Sequence, residues 1–119
     1  MPEQELTAML GANSSQTATE IRINKAGLAA LLTAAGYTFT PKADNTLDEL
    51  VAALICAGLV ALTPEARAVD PISRNIEITY DPAIGFDSPT VDGQTFHRHT
   101  VDVAFYKPIT SPKLNPSDF

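Results

Sequence analysis

The chain lacks tryptophan, and three Tyr and five Phe are its whole aromatic content. Its apolar 45% is therefore largely Ala, Leu, Ile and Val, which implies close packing of small side chains rather than aromatic clusters. There is one cysteine, Cys56. That excludes an internal disulfide and a cysteine-rich zinc site. Basic residues are scarce and scattered singly: eight Lys and Arg against 14 Asp and Glu, a net charge of -6. Affinity for nucleic acid comes largely from Lys and Arg neutralising phosphates, so no nucleic acid is expected as a partner. An anionic membrane surface is disfavoured for the same reason. The N-terminus, MPEQELTAMLG, opens acidic and has no basic, apolar leader, so it does not read as a secretory signal, and the Asn13-Ser14-Ser15 sequon carries no weight.

The longest uncharged apolar run is residues 50–62, LVAALICAGLVAL. It falls short of the roughly 18 residues needed to span a bilayer, so no membrane is expected either. It is also apolar on nearly every side, and such a helix must be buried all round. At 119 residues the chain can build a single core. Part of the covering is thus expected from other subunits; the alternative is intramolecular, with the small face of this helix on Leu28, Leu31, Leu32 and Ala35 of the helix before it and the large face on the sheet.

Reading along the chain, residues 1–18 form a polar arm, in which Leu6, Met9 and Leu10 have the spacing of a short docking turn. Residues 20–23 alternate as a short strand, and Asn24 stands where it would cap a helix over residues 25–35. Gly36 suits a left-handed C-terminal cap. Gly27 weakens that helix and permits another backbone to come close. Thr46-Leu47-Asp48-Glu49 is a capping-box pattern that predicts a second helix over residues 47–62. One of its faces is large (Leu47, Leu50, Val51, Leu54, Ile55, Leu62, with Gly58). The other is small: Ala52, Ala53, Cys56, Ala57, Val60 and Ala61. Residues 75–80 and 95–106 alternate as two strands that would pair antiparallel. Between them residues 81–94, with Pro82, Gly85, Pro89 and Gly93, read as a long loop, functional or clamped by a partner. Residues 107–119 hold Pro108, Pro112 and Pro116 and read as a second arm.

Chemistry-bearing constellations are thin. His97 and His99 share one face of a strand, but a third ligand is missing from the local sequence, and zinc sites take three or four. They are the weak metal candidates; no metal and no cofactor are expected. Asp81, Asp87 and Asp92 stand in Asp-Pro, Asp-Ser-Pro and Asp-Gly settings, where Asp bonds its own backbone. No serine lies in G-x-S-x-G, and Cys56, inside the apolar run, behaves as a small hydrophobe. No catalytic residue is assigned and no enzyme is expected.

The stretch TEIRINKAGLAALL, the turn TPKADNT and LDELVAALICAGL together span residues 19–59 with little interruption. This region, to residue 62, resembles small virion structural proteins of tailed bacteriophages, particularly those of cyanobacteria. The resemblance implies a particle component made in the host cytoplasm: a tail, baseplate or fibre adaptor, or a protein that cements the capsid. It supplies no catalytic residues, and the second half of the chain lies outside it. The expected fold is α+β, two apolar helices packed on a small, mainly antiparallel sheet, as a single core over residues 19–106 with arms at 1–18 and 107–119. The expected partners are other virion proteins and copies of the chain itself. The expected contact residues are Leu6, Met9, Leu10, Ala52, Ala53, Cys56, Ala57, Val60, Phe86, Leu114 and Phe119. Two other classes stay open: a small metal-dependent hydrolase built on His97 and His99, and a carbohydrate- or receptor-binding module using residues 81–96 with Tyr80 and Phe86.

Overall fold

Two local signals in the sequence set the helical half of the computed structural model, which describes residues 5–106 and 113–119. The first is Asn24, whose side chain accepts a hydrogen bond from the Gly27 amide and opens helix α2, Lys25–Ala34. Gly36 closes it at φ 92°, and the Tyr37 amide donates to the Leu32 carbonyl at 2.9 Å, the pattern of a left-handed cap. The second signal is the capping box. Thr46 accepts from the Glu49 amide, and the Glu49 carboxylate accepts from the Thr46 amide, opening helix α3, Leu47–Ala61. Asn45 holds the turn before it by accepting from the Lys42 amide and donating to the Thr40 carbonyl. Lys25 Nζ donates to Lys42 O at 2.7 Å and Asn45 Oδ1 at 3.0 Å, tying that turn to α2.

Helix α1, Leu6–Leu10, packs on both α2 and α3. Over those five residues the expected N-terminal arm is therefore a helix docked on its own chain. After α1 come β1, Ser15–Gln16, and β2, Ile21–Arg22, which pair antiparallel and lead into α2. The close approach at Gly27 is also intramolecular. A Cβ there would stand on the Ala12 carbonyl oxygen, with the Ala12 amide nitrogen at 2.9 Å.

Thr63 does not simply end α3. Its hydroxyl accepts from the Ala66 amide and caps helix α4, Pro64–Ala68, with Pro at the first helical position, where its missing N–H is harmless. Strand β3, Ile76–Thr79, follows and packs on α3 and α4.

The expected long loop is instead ordered secondary structure. Asp81 accepts from the Ala83 amide and caps helix α5, Pro82–Gly85. Then come β4, Phe86–Asp87; β5, Thr90–Val91; β6, Gln94–Thr95; and β7, Arg98–His99. β4 pairs with β7 and β5 with β6, in one continuous register, so residues 86–99 are a single hairpin. Asp92 (φ 50°) and Gly93 (φ 78°) form its two-residue turn, the Asp-Gly combination that matches the twist of the flanking strands. The expected strand over residues 95–106 is thus broken. Its last part is β8, Asp102–Phe105, which pairs antiparallel with β3. Six residues, 80–85, oppose two, 100–101, between these ladders, and α5 is the insertion that bends the ribbon.

The chain is mixed helix and small antiparallel sheet, α+β in the broad sense. Its core is thin. Leu28 and Leu32 of α2 pack on Ala53 and Ala57 of α3, with Met9, Leu31, Phe39, Leu54 and Cys56 around them. Leu32 is the one large side chain fully enclosed among the described residues. The radius of gyration is 16.2 Å; a compact chain of this length has roughly 13.5 Å.

Candidate interaction surface

Helix α3 turns its small face to α2, the intramolecular alternative to burial by a neighbour. Ala53, Ala57, Gly58 and Ala61 are the buried positions, while Leu47 is 74% and Val51 50% exposed. The small face receives the leucines of α2, because alanines leave room for them. Ala53 and Ala57 are therefore core residues rather than contact residues, and so is Leu10, which is buried too. Met9 also packs against this core. Leu6 and Val60 are half-buried.

Ala52 is exposed and Cys56 half-buried, and they share a trough. Its walls are Tyr37, Ala52, Ile55, Cys56, Leu59, Tyr80, His99 and Val101, and its volume is about 580 Å³. Two shallower recesses adjoin it through Tyr37. One runs toward Phe39 and Leu32, the other toward Thr63, Pro64 and Ile78. No carboxylate lines the main trough. Burial raises the Cys56 thiol above its ordinary pKa, so it stays protonated and acts as an apolar lining group.

The far wall is fixed by polar and aromatic contacts. The Tyr80 hydroxyl and His99 Nδ1 share a hydrogen bond at 2.7 Å. The Phe86 ring lies 5.0 Å from that of His99 and 5.2 Å from that of His97, centre to centre. Thr100 N donates to Gly85 O at 2.6 Å and anchors the hairpin root. His97 and His99 thus sit together in an aromatic cluster, and no group of three possible metal ligands occurs among the described residues.

The hairpin projects from this wall. By its register Phe86, Thr90, Thr95, His97 and His99 share one face, and Asp87, Pro89, Val91, Gln94, Phe96 and Arg98 share the other. On the second face Arg98 pairs with Asp87 through two hydrogen bonds. That bonding holds the Asp87 carboxyl below its ordinary range and the guanidinium above its own. Beyond the pair, Val91 is 55% and Phe96 49% exposed.

Further apolar surface lies on the β3–β8 ladder. Ile78 is buried against Gly58. Val103 and Phe105, on the same face by register, are more than two-fifths exposed. The Phe119 ring lies tilted against that of Phe105, centres 5.3 Å apart, so the described end of the C-terminal segment returns to the sheet. Leu114 is exposed, and the part of the expected arm over residues 107–112 lies outside the described residues. Beside this ladder Arg67 covers the Tyr106 ring at 3.6 Å, and the Tyr106 hydroxyl donates to Glu77 Oε1 at 2.7 Å.

Of the expected contact residues Ala52 and Cys56 line the trough; Tyr37, Ile55, Leu59 and Val101 line it without having been among them, and Val91 and Phe96 were likewise missed as an exposed pair. The signal for the latter was present. Asp92-Gly93 between two threonine-bearing segments is a hairpin turn. No described helix is long and apolar enough to cross a membrane. Comparison of the chain with protein-family models, with curated proteins and with solved structures returned no match.

Proposed function

We propose that the chain is a non-enzymatic structural subunit of a phage particle, acting in the virion as a tail, baseplate or fibre adaptor. In this reading α2 and α3 are the two apolar helices, β3 and β8 are the sheet they serve, and the exposed residues Leu47, Val51 and Leu114 meet neighbouring subunits. The partners are other virion proteins and copies of the chain.

One observation carries the assembly part of this reading: many large apolar side chains stand exposed among the described residues. Leu47, Val51, Ile72, Ile84, Val91 and Phe96 are among the exposed large side chains. Val91 and Phe96 share one hairpin face, and apolar side chains exposed together mark interaction sites. The phage assignment itself rests on the resemblance of residues 19–62. A glycan-binding role is less favoured, because the Phe86 ring is packed against two imidazoles and the Tyr80 hydroxyl is engaged by His99.

The test is to probe gradient-purified particles from cells expressing the chain, and to cross-link it in place. Stoichiometric recovery with cross-links to structural proteins supports the reading. Absence from intact particles overturns it.

A further inference from the structure

We infer that the trough along α3 receives an extended, apolar peptide segment flanked by basic residues, borne by a partner protein. The inference rests on the assembly reading and names the chemistry of its partner. The three recesses follow one stripe of α3. Glu49, Ala52 and Cys56 line the first; Ala52, Cys56 and Leu59 line the main trough; Leu59, Thr63 and Glu65 line the last, where the chain passes into α4. Together they form one groove, apolar in the middle, with a carboxylate at each end. No Lys or Arg stands in any of its walls. Glu49 and Glu65 belong to no ion pair among the described residues. The Glu49 carboxyl is held below its ordinary pKa, first by the Thr46 amide, so it is charged at neutral pH. The whole chain adds a net charge of -6. An apolar occupant with basic ends matches this pattern, and one with acidic ends is repelled.

The dimensions select an extended chain over a helix. From Ala52 to Leu59 the helical rise is roughly 10 Å. Spread over that length, the trough's volume of about 580 Å³ gives a cross-section of roughly 55 Å². A strand with its side chains takes about 4.8 by 10 Å, roughly 48 Å². A helix 10–12 Å across takes about 80–110 Å² and does not fit. From Glu49 to Ala61 is roughly 18 Å by the same rise, with Glu65 just beyond on α4. Seven extended residues reach about 20 Å between their end side chains, enough to set one basic group near each carboxylate. The middle of such a segment meets walls whose polar groups are already engaged. The Tyr80 hydroxyl and His99 Nδ1 satisfy each other, and burial keeps the Cys56 thiol protonated.

The test uses three rhodamine-labelled, amidated heptapeptides titrated with the full chain and followed by fluorescence anisotropy. One is Lys-Leu-Ala-Val-Ala-Leu-Lys; the others carry glutamine or glutamate in place of both lysines. The expected order is lysine first, then glutamine roughly tenfold weaker for the loss of two exposed ion pairs, with no binding of the glutamate peptide. Salt should bring the lysine peptide down to the affinity of the glutamine peptide. Bound lysine peptide should also slow alkylation of Cys56 by N-ethylmaleimide, which places it in the trough. Ala52→Arg, at an exposed wall position, should abolish binding. Val91→Arg, which adds the same charge on the exposed hairpin, should leave it unchanged, with circular dichroism confirming the wild-type fold of both. Glu65→Gln should weaken the lysine peptide roughly threefold and leave the glutamine peptide as it was. The inference is overturned by no binding of the lysine peptide at millimolar concentration, by equal binding of all three peptides, or by binding that survives Ala52→Arg. If it is overturned while the chain is still recovered and cross-linked in particles, the assembly reading stands. Binding by a chain absent from particles upholds the peptide site and removes the virion reading.

Discussion

Replacing Gly27 by alanine sets two effects against each other, and the structure decides between them. Gly27 lies inside α2, so helix propensity alone predicts that Ala stabilises the fold by about 1 kcal/mol. The backbone of Ala12, however, occupies the space the new Cβ needs. Its amide nitrogen would stand at 2.9 Å and its carbonyl carbon at 3.0 Å, with the oxygen closer still. These are main-chain atoms with no side-chain torsion to relieve the overlap, so residues 11–12 must lift from α2. Lifting them carries away α1, which immediately precedes. Leu10 is buried there, and Met9 packs on the core. Each such side chain contributes roughly 1.5–3 kcal/mol when fully buried. Partial loss of the two exceeds the propensity gain. The expected net effect is destabilisation by about 1–3 kcal/mol. Urea unfolding of Gly27→Ala against wild type reads it, and limited proteolysis should show earlier cleavage near residues 11–14. Ala30→Gly, at an exposed position of the same helix, gives the pure propensity cost for comparison. A Gly27→Ala protein more stable than wild type, with its N-terminal segment still protected, would refute the claim that this glycine exists for the contact.

Four further expectations follow from the same structure. Ala57→Leu, at a position with 0% exposure facing Leu28 and Leu32, should overpack the core and cost about 1–3 kcal/mol, whereas Ala52→Leu, on the trough wall, should leave thermal stability nearly unchanged; equal effects would mean that the core and the open surface of α3 are wrongly assigned. Thr46→Ala should cost about 1 kcal/mol by removing a helix cap. The Glu49 carboxyl is held below its ordinary pKa of 4.5, first by the Thr46 amide, so its stabilisation is complete above pH 4.5 and is lost as pH falls through the lowered value; in Glu49→Gln that part of the acid-side loss should vanish from the stability–pH curve. The Tyr106 phenol is raised above its ordinary value of 10.0, first by its hydrogen bond to Glu77, so ultraviolet titration should show its midpoint fall in Glu77→Gln; an unchanged midpoint would mean that this bond is absent in solution.

The helical starts were legible because each is written in a few adjacent residues. Asn24 with Gly36, and Thr46 with Glu49, specify where α2 and α3 begin and where α2 ends, and the alternation of residues 76–79 and 102–105 specifies a strand pair. What the sequence did not disclose depends on contacts between distant residues. Whether the small face of α3 meets α2 or a neighbour turns on Leu28 and Leu32 reaching Ala53 and Ala57, twenty or more positions away, and periodicity says nothing of that choice. The hairpin was hidden for a different reason. Its strands are two residues long and largely polar, so burial leaves no alternating pattern, and turn chemistry at Asp92-Gly93 was the only trace. The trough combines α3, Tyr37 and the hairpin root, three segments whose meeting no local rule predicts.

An ordinary amphipathic helix turns its large residues inward; the start of α3 does the reverse. Ala53, Ala57 and Ala61 face the core, while Leu47 and Val51 face outward. Alanines let α2 come close, but each buries little, and a buried Leu or Val would contribute roughly 1.5–3 kcal/mol more than an exposed one. The isolated chain thus forgoes stabilisation that its own composition holds in reserve, and a partner that covers those side chains recovers it. Binding to the folded state alone raises stability by about 2.7 kcal/mol when the partner is at a hundred times its dissociation constant. If copies of the chain supply the cover, the unfolding midpoint should climb with protein concentration under otherwise fixed conditions. Scanning calorimetry over a wide dilution series measures this directly. A midpoint independent of concentration, in a preparation that sediments as a monomer, would show that the thin alanine-lined core suffices for folding and that the exposed leucine and valines serve no association between copies.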